Sequence, residues 1–286
     1  MRGLSATRSD AGLTALNSGA AVAGNHLARE RGVLGISALL FIASAAATVY
    51  WCRSMSGSMS MPGGWTMSMP WMRMSGQNWL GAAASFVGMW VVMMVAMMLP
   101  SLVPMLLRYR GSVRGPDKTR LGRMTVLAGA GYFFVWAFFG AVVYPLGFVL
   151  TAAEMRCLAL ARSVPIATGG VLLLAGCVQL SAWKARQLGR CRNAPPCAPS
   201  PSSKVRSAWQ HGLRWGVHCS MCCSGFMVIL LVTGVMSLGA MATVTAAITV
   251  ERFASRPERA ARFTGVVVIA AGVLVIAGAL RCGLSF

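Results

Sequence analysis

Residues 90–107 read WVVMMVAMMLPSLVPMLL, eighteen positions without one ionisable side chain. Extended back to residue 80, the run is long enough to cross about 30 Å of hydrocarbon as a helix, at about 1.5 Å per residue. Working outward, apolar runs recur at 33–51, 124–152, 164–183, 215–236, 238–251 and 264–281. The run at 238–251 is short and Thr-rich and reads as the returning arm of a helical hairpin turning at Ser237, Leu238 and Gly239. The pattern predicts an all-α fold, a polytopic transmembrane helical bundle of about seven spans, or six if the first is a cleaved signal.

Composition agrees with this reading. With 56% hydrophobic and 11% charged residues in 286, the chain has too little polar surface to coat a soluble globule. The net charge of +20 raises nucleic acid as a partner, but the basic residues fall in short clusters between apolar runs. That is the distribution of a membrane protein, so the lipid bilayer is the expected partner and nucleic acid is set aside. No nucleotide loop, catalytic triad spacing or convincing internal repeat is present, and the chain is not expected to be an enzyme acting on an organic substrate.

The same clusters orient the chain. With the N-terminus inside, the inner segments hold Arg2, Arg8, Arg29 and Arg31, six basic residues within 108–123, seven within 184–214, and Arg252, Arg256, Arg259 and Arg262. Only Arg53, Arg73, Arg156, Arg162 and Arg281 are left outside. The positive-inside rule therefore predicts a multi-pass protein of a bacterial inner membrane with a cytoplasmic N-terminus and an outer C-terminus. The expected order is a basic tail (1–32), a first helix (33–51), an outer loop (52–79) and a helical core (80–281) interrupted by a Pro- and Ser-rich inner linker (184–214). The first span, with small residues at 43–47, also resembles a cleavable signal peptide, although its leader is long for one.

The outer loop contains MSGSMSMPGGWTMSMPWMRMSG (55–76), with Met59, Met61, Met67 and Met69 among its seven methionines and no acidic residue. Thioethers are soft, uncharged ligands that select Cu(I) over hard ions, and a flexible Gly/Pro/Ser backbone lets several converge on one ion. The plainer alternative is Met as apolar filler beside an interfacial belt of Trp65, Trp71 and Trp79. In the span that follows, Met89, Met93 and Met97 share one helix face and Met94 and Met98 an adjacent one. These are either further soft ligands or packing residues. Pro100 and Pro104 each remove a backbone hydrogen bond and predict a kink in the inner half of this helix, and broken helices in membranes often line sites.

The third constellation is WGVHCSMCCSGFM (215–227). On a helix Cys219, Cys222 and Cys223 fall at i, i+3 and i+4, and His218 lies four before Cys222, so three thiols and an imidazole crowd one sector. Such donors suit Cu(I), with zinc as the alternative ion. A lone Cys would read as a small residue for close helix contact; the grouping does not. Glu251, at the same inner level, is a candidate ligand or proton acceptor, or else the partner of Arg252 or Arg256 in a salt bridge. Cys191 and Cys197 in the linker and the single Cys52, Cys157, Cys177 and Cys282 carry weaker signals, and His26 and His211 read as solvated.

Trp90, Met93, Ala96, Met97, Met98 and Pro100, followed by Gly216, Cys219, Cys222, Cys223, Met227, Gly234, Met236, Met241 and Glu251, resemble the bacterial family known as domain of unknown function 2182, described as predicted metal-binding integral membrane proteins. The resemblance covers roughly residues 80–280 and implies metal binding without naming the metal. The family pattern has Gly before the Cys pair and Trp after it; Met221 and Ser224 stand there instead. The Met-rich loop lies outside the shared core and argues separately for copper.

Together these features predict a membrane protein handling Cu(I). The outer loop collects the ion, Met93, Met97 and Met98 pass it inward, and the Cys cluster holds it near the inner face. The rivals are a non-transporting subunit that presents or sequesters metal for a periplasmic or membrane metalloprotein, and a thiol redox protein in which Cys222 and Cys223 cycle.

Overall fold

The computed structural model describes residues 6–54, 58–60, 66–68, 78–112, 118–192 and 205–283, with residues 6–29 and the two short strands described as backbone alone. A bilayer leaves backbone N–H and C=O groups no water to bond, so spanning segments become helices. The elements run α1 (Ala6–Ser54), β1 (Ser58–Ser60), β2 (Thr66–Ser68), α2 (Trp79–Ser112), α3 (Lys118–Arg156), α4 (Leu158–Leu180), α5 (Ala182–Arg192), α6 (Val205–Thr233), α7 (Leu238–Phe253) and α8 (Pro257–Gly283). Among the described residues, six stretches are long and apolar enough to cross a membrane: Glu30–Ser54, Trp79–Gly111, Thr119–Arg156, Ala159–Leu180, Arg206–Thr233 and Pro257–Arg281. The chain is an all-α polytopic bundle, and α2 continues as one helix across Pro100 and Pro104.

The sixth expected span, at 238–251, is α7, and it falls short. Its 16 residues rise about 24 Å, less than the hydrocarbon thickness. Its threonines are accommodated by bonding backward: Thr243, Thr245 and Thr249 donate to the carbonyls of Gly239, Met241 and Thr245. The hairpin turn lies earlier than expected. Gly234 takes φ 106°, a conformation that L side chains avoid, and ends α6 there. Ser237 then caps α7 by accepting from the Ala240 N–H, so Leu238 and Gly239 belong to the helix and not to the turn.

Packing follows from where side chains are missing. Trp90 lies across Gly140, where a Cβ would come within 2.5 Å of its ring, and Trp90 Nε1 donates to the Trp136 carbonyl at 3.0 Å. Phe86 meets Tyr144 four residues on in α3, with ring centroids 5.1 Å apart, so α2 and α3 run antiparallel. On α6, Gly212 and Gly216 meet Ala128 and Tyr132 of α3 in rising order, so these two helices run parallel. Gly169 and Gly176 of α4 face Gly272 and Gly265 of α8, an antiparallel seam with small residues seven apart on both helices. One end of the bundle thus gathers the C-termini of α2, α4 and α7, the N-termini of α3, α6 and α8, and all of α5. It is the end that carries the basic clusters.

Candidate metal centre

α6 crosses the bundle with its cysteine face turned inward, because Gly212 and Gly216 let its first half lie directly on the α3 backbone. Cys219, Cys222 and Cys223 are all buried. Cys219 and Cys223, one helical turn apart, have sulfurs 4.0 Å from each other and join the main core. Cys222 sits in a smaller cluster with Leu188 of α5 and Ala261 of α8. His218 is exposed on the outer face of α6. The quartet read from the sequence is thereby divided. Among the described residues no three His, Cys, Asp or Glu side chains are grouped to hold one ion.

The thiol pair is instead surrounded by groups from other helices. The Tyr132 hydroxyl of α3 donates to Cys219 Sγ at 2.9 Å. Arg252, at the end of α7, donates through Nη2 to Cys219 Sγ at 2.8 Å and to Cys223 Sγ at 3.7 Å. A guanidinium on a sulfur inside an apolar bundle supplies positive charge where water cannot.

The methionines of α2 face the same interior. Met89, Met93, Met94, Met97 and Met98 are buried and share one contiguous core with Cys219, Cys223, Met227 and Met241. The register set by Trp90 against Gly140 and Phe86 against Tyr144 brings about residue 98 level with Tyr132, and so with the thiol pair. Both stripes seen in the sequence therefore turn inward. At the opposite end of the bundle Cys52 donates its S–H to Met236 Sδ at 3.8 Å, a sulfur pair that no local spacing could have announced because 184 residues separate the two.

Glu251 is ion-paired, but not with either of the arginines expected for it. Its carboxylate forms an ion pair with Lys184 Nζ at 2.9 Å and accepts from Gln179 Nε2 at 2.7 Å and from the Thr264 hydroxyl at 2.8 Å. Lys184 also donates to the Cys222 carbonyl at 2.7 Å and lies over the Phe226 ring. Both charged partners are 2% exposed. Neither Arg252 nor Arg256 is the carboxylate's ion-pair partner; the linker lysine is. A buried charge must be met by an opposite charge and further hydrogen bonds, and this network provides both. It ties α4, α5, α6, α7 and α8 together one residue from Arg252.

Tyr132, Lys184 and Gln179 were not singled out from the sequence, and Arg252 was named there only as an inner charge and a candidate partner of Glu251. Only Gln179, a polar residue late in an apolar run, left a local signal. Of the outer loop, Met59 and Met67 lie opposite each other in the antiparallel pairing of β1 with β2, their side chains outside the described part. Met61 and Met69 lie outside the described residues.

Neither curated proteins nor solved structures give a match to this chain. A family model does: that of PpoB2, described as a copper chaperone, matches residues 87–275. That span holds the methionine helix, the thiol pair, Tyr132, Arg252 and the Lys184–Glu251 network, and the chain belongs to this copper-chaperone family.

Proposed function

We propose that this protein is a membrane-embedded Cu(I) chaperone that holds its cargo between Cys219 and Cys223. The observation that carries the reading is the thiol pair itself: two buried sulfurs 4.0 Å apart with a guanidinium on one of them. Metal–thiolate bonds are about 2.3 Å long, so sulfurs at this separation accommodate one ion between them. Two thiolates around Cu(I) carry a net charge of −1, and Arg252 offsets it within the low-dielectric interior. Two thiols backed by thioethers suit a soft monovalent ion better than zinc, which takes four N or S ligands.

Met93, Met97 and Met98 then serve as weak, exchangeable donors leading to the pair, and the outer Met59, Met61, Met67 and Met69 collect the ion. The Cys52–Met236 contact, a thiol on a thioether, adds a further pair of soft donors to this reading. The basic clusters put the thiol end on the cytoplasmic side of a bacterial inner membrane. A periplasmic or membrane metalloprotein is the chaperone's partner.

Titration of the purified protein with Cu(I) against a colorimetric chelator under reducing conditions tests the reading. One copper per chain is expected, lost in Cys219→Ser with Cys223→Ser and retained in Cys222→Ser, whose side chain belongs to the neighbouring cluster. Full copper retention in the double variant would sink it.

A further inference from the structure

Arg252 and Glu251 are neighbours in sequence, yet they are not partners. The Glu251 carboxylate is taken by Lys184 at 2.9 Å, with Gln179 and the Thr264 hydroxyl as further donors to it, and that ion pair is neutral as a whole. The Arg252 guanidinium is turned to sulfur instead. Its Nη2 lies 2.8 Å from Cys219 Sγ and 3.7 Å from Cys223 Sγ, and its buried Nε has no hydrogen-bond partner among the described residues. No carboxylate among those residues forms an ion pair with it. A positive charge held inside an apolar bundle without an acid is costly unless the site itself supplies a negative one. The groups beside it, two thiols and the Tyr132 hydroxyl, are neutral in their ordinary forms.

We propose that Arg252 makes the thiol pair read the charge of an ion, admitting soft monovalent ions, Ag(I) as well as Cu(I), and rejecting soft divalent ones such as Hg(II). The inference rests on the copper reading above and names the class of ion that the site accepts. Softness cannot make this choice, because all three ions favour thiolate sulfur, and ligand number cannot, because each is satisfied by two thiolates in a line. Charge can make it. Two thiolates around a monovalent ion leave a net charge of −1, which the guanidinium cancels; around a divalent ion they leave none, and the charge of Arg252 stays unmet. An ion on Cys219 lies no more than about 5 Å from Nη2, one hydrogen bond and one metal–sulfur bond away. At an effective dielectric of about 20, one unit of charge at that distance is on the order of a hundredfold in affinity.

A thiol exchange isolates the effect. The ion is offered as its complex with excess uncharged 2-mercaptoethanol. Each cysteine sulfur forms a bond to the ion as a carrier sulfur leaves it, and the proton of that cysteine thiol passes to the departing carrier. No oxidation state changes, and the two-thiolate complex has the same charge before and after. The ion's own preference for thiolate therefore cancels, and the exchange constant reports what the protein surroundings add.

The full-length protein in detergent, without oxygen, is equilibrated with each complex, and bound metal is measured by mass spectrometry after gel filtration. Metal held by Cys219→Ser with Cys223→Ser is subtracted as the share of the other cysteines. The exchange constant is expected to be about a hundredfold larger for Cu(I) than for Hg(II), with Ag(I) on the side of Cu(I). Arg252→Gln, which keeps a donor and loses the charge, should bring that ratio toward one, whereas Arg252→Lys, which keeps the charge, should hold most of it. A residue that only positions the sulfurs would lower both constants together in Arg252→Gln and leave the ratio as it was, and that result would overturn the inference. If Arg252→Gln does not fold, the unmodified protein decides: a ratio near one, with one copper bound at Cys219 and Cys223, overturns the charge filter and leaves the chaperone reading standing. No copper above the double-variant background would overturn the chaperone reading, and the filter with it.

Discussion

At the scale of single residues, the thiol pair depends on donors contributed from far along the chain. Tyr132→Phe removes one hydrogen bond to Cys219 while keeping the ring, so Cu(I) should bind about fivefold more weakly with the fold intact, by competition against a chelator of known affinity. The Lys184–Glu251 pair makes a sharper prediction. Lys184→Met leaves a buried carboxylate without its cation and should destabilise the protein by about 3–5 kcal/mol, read as a lowered melting temperature in detergent. Lys184→Met combined with Glu251→Leu removes both charges and should recover much of that loss; a double variant no better than the single would contradict it.

These residues also show what the sequence could and could not disclose. Cys219 and Cys223 were legible because helical spacing is local: a step of four residues lies on one face wherever the helix sits. The environment of the sulfurs was not. Arg252 looked like a topological charge because its contact with Cys219 spans 33 residues, and Lys184 looked like a linker residue because its partner is 67 positions away. His218 looked like a ligand because it is next to Cys219, yet adjacent helical residues point about 100° apart and only one of the two could face the core.

At the scale of elements, apolar length was enough to find the crossing helices, since a bilayer imposes it on each helix separately. α7 was ambiguous for the same reason: 16 residues with three threonines satisfy neither a full span nor a soluble helix. Its turn was misplaced by about three residues because Gly239 and Gly234 are equally plausible on paper, and only the backbone shows which takes positive φ. Gly234→Ala should therefore cost about 1 kcal/mol, whereas Gly239→Ala, where no atom stands in the way of a Cβ, should be neutral or slightly stabilising. Thermal melts of the two variants in one detergent would separate them. The α4–α8 seam is stricter. Gly176→Leu would drive a side chain into the backbone of Gly265 and Ile269, and loss of the folded protein from the membrane fraction is expected.

For the molecule as a whole, the basic side chains of the described residues gather at the end where the thiol pair and the ion-pair network lie. A reporter fused within the linker at about residue 198 should be active only as a cytoplasmic reporter, and one inserted near residue 63 only as an outer one, as the charge bias requires. The reverse pattern would place the thiol end outside and invert the proposed route.

The hairpin of α6 and α7 has one further consequence. Cys219 lies fourteen residues before the last residue of α6 and Arg252 fourteen after the first of α7, and the two side chains meet. The hairpin is thus a pair of tongs with equal arms, and the sulfur and its cation are the tips. One residue inserted into either arm would shift a tip by about 1.5 Å and turn it about 100°, so the grip would open although every original residue remained. Lengthening both arms by seven would restore it. Arm length is therefore heritable only as a matched pair, a constraint written in spacing and invisible at any single position.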